Sequence, residues 1–165
     1  MTPYDGQRRA RFDALARAAR ARGSARAAGR IACPCCGYPT LSEREAHDIC
    51  CLCYWEDDGQ DDPRADEVWE GPNGSYSLAE ARENFRNNLV MYGRSQPDPR
   101  VSGPDSRTEI QAKRAMIAAF ECMLETASAT DRELLWVMVL QSEAVIDSER
   151  NRKYEEYEAR RQLSV

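Results

Sequence analysis

Apolar residues recur at three- and four-residue intervals in three parts of the chain, and this spacing predicts amphipathic helices. The first part, residues 5–28, is rich in alanine and arginine, both of which favour helix. Its thin apolar stripe consists of Phe12, Leu15 and Ala19. Gly23 and Gly29 weaken the second half of the pattern, so we expect a marginal helix that needs a surface to dock on.

The second helical pattern covers residues 76–93. Ser77 followed by Glu80 is the signature of a capping box, and Gly93 stands where a helix commonly ends on glycine. The apolar face consists of Leu78, Ala81, Phe85, Leu89 and Tyr92. Prolines exclude a helix from residues 95–104, so this segment is predicted to be a loop.

The third pattern, residues 106–161, predicts a helical hairpin. Its first helix has an apolar face of Ile110, Ile117, Phe120, Leu124 and Ala127. Thr130 with Glu133 reads as another capping box and is expected to open the second helix. Residues 134–140 are all apolar, and one neighbouring helix covers only one side of them. We therefore predict burial against a further helix of this chain, with a second copy of the chain as the alternative.

Residues 31–72 lack a helical period. Short apolar and aromatic pieces alternate there with glycine, proline and aspartate, a pattern typical of turns and two or three short strands. A segment of this kind buries little core by itself. The residues that can hold it together form two C-x-x-C pairs, Cys33 with Cys36 and Cys50 with Cys53.

The spacing of these pairs predicts a zinc site. Thirteen residues separate the pairs, close to the separation that lets four thiolates surround one Zn²⁺. Pro34 and Gly37 give the first pair the C-P-x-C-G form of a metal knuckle, in which proline stiffens the turn and glycine accepts a tight conformation. Four thiolates fill a tetrahedron and leave no position for a catalytic water, so we expect a structural ion.

Three further residues are candidates for this site. Cys35 and Cys51 lie inside the two turns, where side chains usually point away from the metal, and we expect them to be free or packed. A disulfide between them, or a second partial metal site, is the alternative. His47, the single histidine, precedes Cys50 by three residues and is an alternative ligand.

Composition favours metal over disulfides. The chain has seven cysteines, yet no apolar stretch near its N-terminus resembles a signal peptide. The longest apolar run, seven residues, is too short to cross a membrane. We therefore expect a cytoplasmic, reducing environment, in which paired cysteines usually bind metal.

Charge is distributed unevenly. Residues 1–30 carry eight arginines and two aspartates, a net charge of +6, so the remainder carries −11 of the total of −5. The densest acid follows the second cysteine pair. We predict that this stretch binds a basic protein partner. The predicted contact residues are Trp55, Glu56, Asp57, Asp58, Asp61 and Asp62. The alternatives are carboxylates that accept backbone hydrogen bonds in tight turns, or a site for Ca²⁺ or Mg²⁺.

Two other classes of function stay open. The arginine-rich residues 8–30 are an alternative nucleic-acid-binding arm, and a transit peptide is a further interpretation of that composition. The C-x-x-C pairs also permit a thiol–disulfide oxidoreductase, although such a motif is normally single and set in a βαβ unit. With one histidine and no nucleotide loop or Ser-His-Asp set, we expect a protein that is not an enzyme.

Several motifs together resemble one known family. They are Cys33-Pro34-Cys35-Cys36-Gly37-Tyr38, Thr40-Leu41, Asp48-Ile49-Cys50 with Cys53, Trp55-Glu56-Asp57-Asp58-Gly59, Gly71-Pro72-Asn73-Gly74, and Ser77-Leu78-x-Glu80-Ala81-Arg82-x-Asn84-Phe85. Over residues 31–85 the chain is similar to the bacterial cysteine-rich CPCC domain family. The resemblance implies zinc binding and no particular biochemical role. Cys51 stands where the family often has proline.

These patterns predict a small zinc-stabilised α+β module, built from zinc-ribbon or rubredoxin-like knuckles, with mostly α-helical flanks and a C-terminal helical hairpin. The predicted segments are a basic arm (1–30), the four-cysteine module with its following helix (31–93), a linker (94–105) and the hairpin (106–165). We expect a protein-interaction module, for example one that binds a basic toxin.

Overall fold

The computed structural model describes residues 6–23, 30–93 and 104–163. It divides into two compact units, Met1–Tyr92 and Gly93–Val165. In chain order the elements are α1 (Gly6–Ala21), β1 (Ile31–Ala32), β2 (Pro39–Leu41), 3₁₀ turns at Asp62–Arg64 and Gly71–Asn73, α2 (Leu78–Asn88), α3 (Arg107–Glu125) and α4 (Ala129–Gln162). Within the described residues no helix is long and apolar enough to cross a membrane.

The first unit contains very little regular strand. β1 and β2 pair antiparallel with Ile31 opposite Leu41, and an isolated bridge joins Ile49 to Glu56. This agrees with the predicted small cysteine-rich module with helical flanks. A two-stranded sheet this short is too little to identify a zinc ribbon.

Helix α1 docks on the cysteine module instead of extending away from it as a separate arm. Phe12, Ala16 and Ala19 are buried, and the helix contacts β1 and β2. The ring of Phe12 lies 5.9 Å from that of Tyr38, centroid to centroid. The thin apolar stripe is therefore sufficient once a surface is available. Residues 24–29, the predicted weak end of this helix, lie outside the described residues.

Helix α2 begins where the sequence predicts and ends earlier. The capping box of Ser77 and Glu80 is confirmed, with both hydrogen bonds present. The predicted end at Gly93 is wrong, because Leu89 takes the left-handed conformation (φ 61°) and closes the helix. The backbone N–H of Met91 then donates to the carbonyl of Cys53 at 2.7 Å. The chain leaves the helix early to bury Met91 beside the second cysteine pair.

The second unit is the predicted hairpin of α3 and α4. Ser106 and Glu109 form a capping box at the start of α3. The predicted start of α4 at Thr130 is wrong, since Ser128 caps it by accepting a hydrogen bond from the Asp131 N–H. The predicted linker, residues 94–105, lies almost entirely outside the described part of the chain.

The apolar stretch 134–140 is buried on one side. Trp136 and Val139 are buried against α3, and the ring of Trp136 packs edge-on against Phe120 with 5.7 Å between centroids. Leu134, Met138 and Leu140 are exposed. The prediction that the whole circumference is covered is therefore wrong in this structure, because a single neighbouring helix shields only the side that faces it.

Candidate metal centre

Two C-x-x-C turns with the same backbone geometry form the centre of the first unit. In the first turn the N–H of Cys33 donates to Tyr38 O at 2.9 Å, and the N–H of Gly37 donates to Cys33 O at 2.9 Å. In the second turn the equivalent bonds are Cys50 N to Trp55 O at 2.9 Å and Tyr54 N to Cys50 O at 3.0 Å. The chain therefore builds the same knuckle twice.

Both knuckles need a positive φ directly after their second cysteine. Gly37 supplies it at 79°, a value that glycine reaches without strain. Tyr54 occupies the matching position at 70°, where a side chain is disfavoured by roughly 1 kcal/mol or more. The sequence signals the first knuckle through its glycine, whereas the second is recognisable only from its cysteine spacing.

The two knuckles bring four sulfur atoms together. Their Sγ atoms all lie within 4.8 Å of one another, and the pairs Cys33–Cys53 and Cys36–Cys50 are each 3.7 Å apart. A tetrahedron with metal–sulfur bonds of about 2.3 Å has sulfur–sulfur edges of about 3.8 Å. These sulfurs therefore already have the spacing of a four-thiolate metal site.

Burial disfavours free thiolates at three of the four clustered cysteines. All four cysteines are at most 1% exposed. Burial raises the pKa of the Cys33, Cys36 and Cys53 thiols well above the ordinary value. Burial also acts against ionisation of Cys50, but hydrogen bonds from the other three cysteines and Thr40 lower its pKa. A bound metal has to displace protons from the cluster, so its affinity should fall as the pH falls.

The additional candidates lie beside the cluster and do not join it. Cys35 and Cys51 are both buried, and no disulfide joins them. His47 is 62% exposed at its side chain, and its Nδ1 lies 3.2 Å from a carboxylate oxygen of Glu56. Among the described residues, the group able to hold one metal ion is the set of four cysteines predicted from the sequence.

Residues far along the chain fix the first knuckle from outside. The guanidinium of Arg82, on α2, donates twice to the carbonyl of Pro34, at 3.0 and 2.9 Å. The same side chain forms an ion pair with Asp62 at 2.5 Å. Sequence reasoning gave Arg82 no role, although it lies within the S-L-x-E-A-R motif of the family resemblance.

The acidic stretch after the second knuckle is organised largely inside the unit. Asp57 is fully buried, and its carboxylate accepts a hydrogen bond from Arg44 Nε at 2.8 Å and one from the backbone N–H of Glu45 at 3.0 Å. Asp58 accepts from the backbone N–H of Gln60 at 3.1 Å. The alternative of carboxylates that accept hydrogen bonds in tight turns therefore describes this part of the chain well.

The six residues predicted to contact a partner are not equally available. Trp55 and Asp57 are completely buried and cannot touch a partner in this arrangement. Glu56, Asp58 and Asp61 are partly exposed. Asp62 is the most open, with 55% of its side chain accessible. The predicted contact surface reduces to these four carboxylates, of which Asp61 and Asp62 already pair with arginines.

The arginines of α1 engage this same unit. Arg9 forms a bidentate contact with Asp61, at 2.5 and 2.7 Å. This contact lowers the pKa of the Asp61 carboxyl well below its ordinary value. The guanidinium carbon of Arg8 lies 5.0 Å from the ring centre of Tyr38. Part of the basic charge at the N-terminus thus neutralises the acidic loop of its own chain.

The geometry defines this unit as a small cysteine-rich domain, organised around four clustered cysteines that could hold a metal ion. Residues 31–104 match the family described as Cysteine-rich CPCC, which confirms the predicted resemblance to a cysteine-rich CPCC family. The match extends beyond the predicted end at residue 85 and leaves α1, α3 and α4 outside it. Neither the curated proteins nor the solved structures contain a match to this chain.

Proposed function

We propose that Cys33, Cys36, Cys50 and Cys53 bind one structural Zn²⁺ ion and that the protein acts as a binding module. The observation that carries the metal assignment is the four buried sulfurs with tetrahedral edge distances. Zinc suits a closed site of four thiolates, because it has no redox chemistry and accepts tetrahedral sulfur ligation. With all four positions filled by protein, the proposal includes no enzymatic activity.

Metal analysis of the purified protein tests the assignment. We expect about one zinc per chain, and we expect Cys36→Ser to lose the metal together with the fold of the first unit. Cys35→Ser and Cys51→Ser are matched controls, because these cysteines are buried in the same turns outside the cluster. Loss of metal in the controls but not in Cys36→Ser, or stoichiometric iron in place of zinc, would contradict the proposal.

The binding role is assigned to the exposed part of the acidic loop and a basic protein partner, such as a basic toxin. The supporting observation is Asp62, 55% exposed at its side chain, beside the partly exposed Glu56, Asp58 and Asp61. Charges at an exposed rim mainly accelerate association and are screened over about 8 Å at physiological ionic strength. Binding should therefore weaken steeply as salt is added.

A partner captured from cells and then purified provides the test. Asp58→Asn with Asp62→Asn should slow association several-fold and leave the zinc content unchanged. The control is Asp131→Asn with Glu133→Gln, which removes two charges from α4 in the other unit. Equal association rates for both double variants would exclude the acidic loop as the contact surface.

The two alternative functions have less support. Nucleic-acid binding would use the basic arm, but Arg8 and Arg9 make contacts within their own unit. An oxidoreductase needs an accessible thiolate of low pKa. Burial instead raises the pKa of three of the four clustered thiols, and all four are inaccessible.

A further inference from the structure

A threonine hydroxyl connects the two knuckles at the sulfur cluster. Thr40 lies on β2, directly after the first knuckle, and its Oγ1 is 3.0 Å from the Sγ of Cys50 in the second knuckle. The side chain is buried, with Thr40 only 7% exposed. Arg30 holds the backbone of Thr40 by donating to its carbonyl at 3.1 Å. The hydroxyl is therefore fixed against one particular sulfur.

The direction of this hydrogen bond follows from the state of the sulfur. The hydroxyl proton has two acceptors within reach, the carbonyl of Tyr38 at 3.4 Å and the sulfur of Cys50 at 3.0 Å. A cysteine that ligates a metal is a thiolate without a proton, so it can only accept. The backbone N–H of Cys53 approaches the same sulfur at 3.5 Å. A Cys50 thiolate that ligates a metal would therefore receive a hydroxyl donor from β2.

We propose that Thr40 is a positioning residue of the metal centre, whose hydroxyl donates to the Cys50 thiolate and offsets part of the charge of the site. The inference rests on the proposed zinc site. Four thiolates around one Zn²⁺ leave a net charge of about −2, and the cysteines that carry it are at most 1% exposed. Charge that is out of contact with water needs donors from the protein, and such outer contacts commonly change metal affinity by 10–100-fold.

Three variants of the full-length chain test the role of the hydroxyl. Thr40→Val removes it and keeps a β-branched side chain of similar shape, and Thr40→Ser restores it. Thr108→Val, at an exposed position on α3, controls for the exchange itself. In competition with a chromophoric chelator, we expect Thr40→Val to bind zinc about 10-fold more weakly. Thr40→Ser and Thr108→Val should remain near the wild type.

Cobalt substitution separates an electronic role from a packing role. We expect the sulfur-to-cobalt charge-transfer band to shift in Thr40→Val and to return in Thr40→Ser, because the hydrogen bond withdraws charge from the thiolate. Wild-type affinity and an unshifted band in Thr40→Val would overturn this proposal and leave the zinc site standing. If Thr40→Val and Thr40→Ser both bind zinc more weakly and neither shifts the band, Thr40 contributes through strand packing. That result would also overturn the proposal. A wild-type protein that holds no metal would remove both proposals.

Discussion

The two units of this protein are stabilised in different ways. The first unit has five residues of paired strand, and the centre of its core is Leu52, Trp55 and the four clustered cysteines. The second unit consists of two long helices that bury a stripe of mostly apolar side chains, including Met116, Phe120 and Ile146. Under the proposed metal assignment, one metal site links distant segments of the first unit, whereas the second unit is held by repeated contacts along two neighbouring helices.

This difference predicts which changes should destabilise each unit most. In the proposed metal-bound state, much of the stabilising free energy of the cysteine module comes from the single site at which four cysteines from distant segments meet. In the hairpin the stabilising free energy is spread over many side chains, so a single substitution should remove only part of it. The four predictions that follow test the contrast, from the largest expected effect to the smallest.

Metal removal should unfold the first unit and spare the second. Structural zinc contributes on the order of 10 kcal/mol to folding, as much as the whole stability of a typical domain. Hydrogen exchange measured by mass spectrometry after chelation should show loss of protection in residues 30–92. Amides of α3 and α4 should stay protected. Simultaneous loss of protection in both units would show that their stabilities are coupled.

Phe120→Ala should destabilise the hairpin by about 3–5 kcal/mol and leave the metal in place. Phe120 is fully buried and packs edge-on against Trp136. The matched control is Leu134→Ala, because Leu134 is 62% exposed and its truncation should cost at most about 0.5 kcal/mol. Urea unfolding followed by far-ultraviolet circular dichroism, to which α3 and α4 contribute most of the helix, measures both. Equal costs for the two variants would mean that Leu134 is covered in solution.

The two capping boxes allow the same small change in each unit. Ser77 caps α2 in the first unit, and Ser106 caps α3 in the second. Substitution of either serine by alanine should cost about 1 kcal/mol. Hydrogen exchange should show faster opening in the unit that carries the substitution and no change in the other. An effect of Ser77→Ala on α3 would argue against separate stabilities.

The contact between Arg9 and Asp61 should contribute least to the free energy of unfolding, since both side chains are partly exposed. We expect a coupling of about 1 kcal/mol or less at pH 7, measured by a double-mutant cycle of Arg9→Gln and Asp61→Asn. The pKa of Asp61 is lowered by its hydrogen bond to Arg9. The coupling is therefore complete above the unfolded pKa of about 4 and is lost as the pH falls through the folded pKa. A coupling that grows on acidification contradicts this assignment.

Several features of the fold follow from short stretches of sequence. The capping box at Ser77 needs only the next three residues, and the hairpin follows from apolar spacing along α3 and α4. The helix ends were less predictable. Leu89 ends α2 in place of Gly93, because the backbone N–H of Met91 donates a hydrogen bond to the carbonyl of Cys53. That acceptor is distant along the chain.

The sequence by itself determined which four cysteines form the candidate metal centre. Cysteine spacing selected the four residues that come together, because two knuckles of fixed local geometry need little else to present four sulfurs. It also determined that the chain has a helical hairpin, since a periodic apolar stripe is a local property.

The tertiary structure decided which residues of each sequence pattern are buried and which are exposed. The sequence pattern does not distinguish Asp57 from Asp62. In the structure Asp57 is buried and pairs with Arg44, whereas the side chain of Asp62 is exposed to solvent. The apolar run 134–140 likewise divides into a buried and an exposed face. Burial and charge pairing depend on residues that are distant along the chain, and a local pattern contains no information about those neighbours.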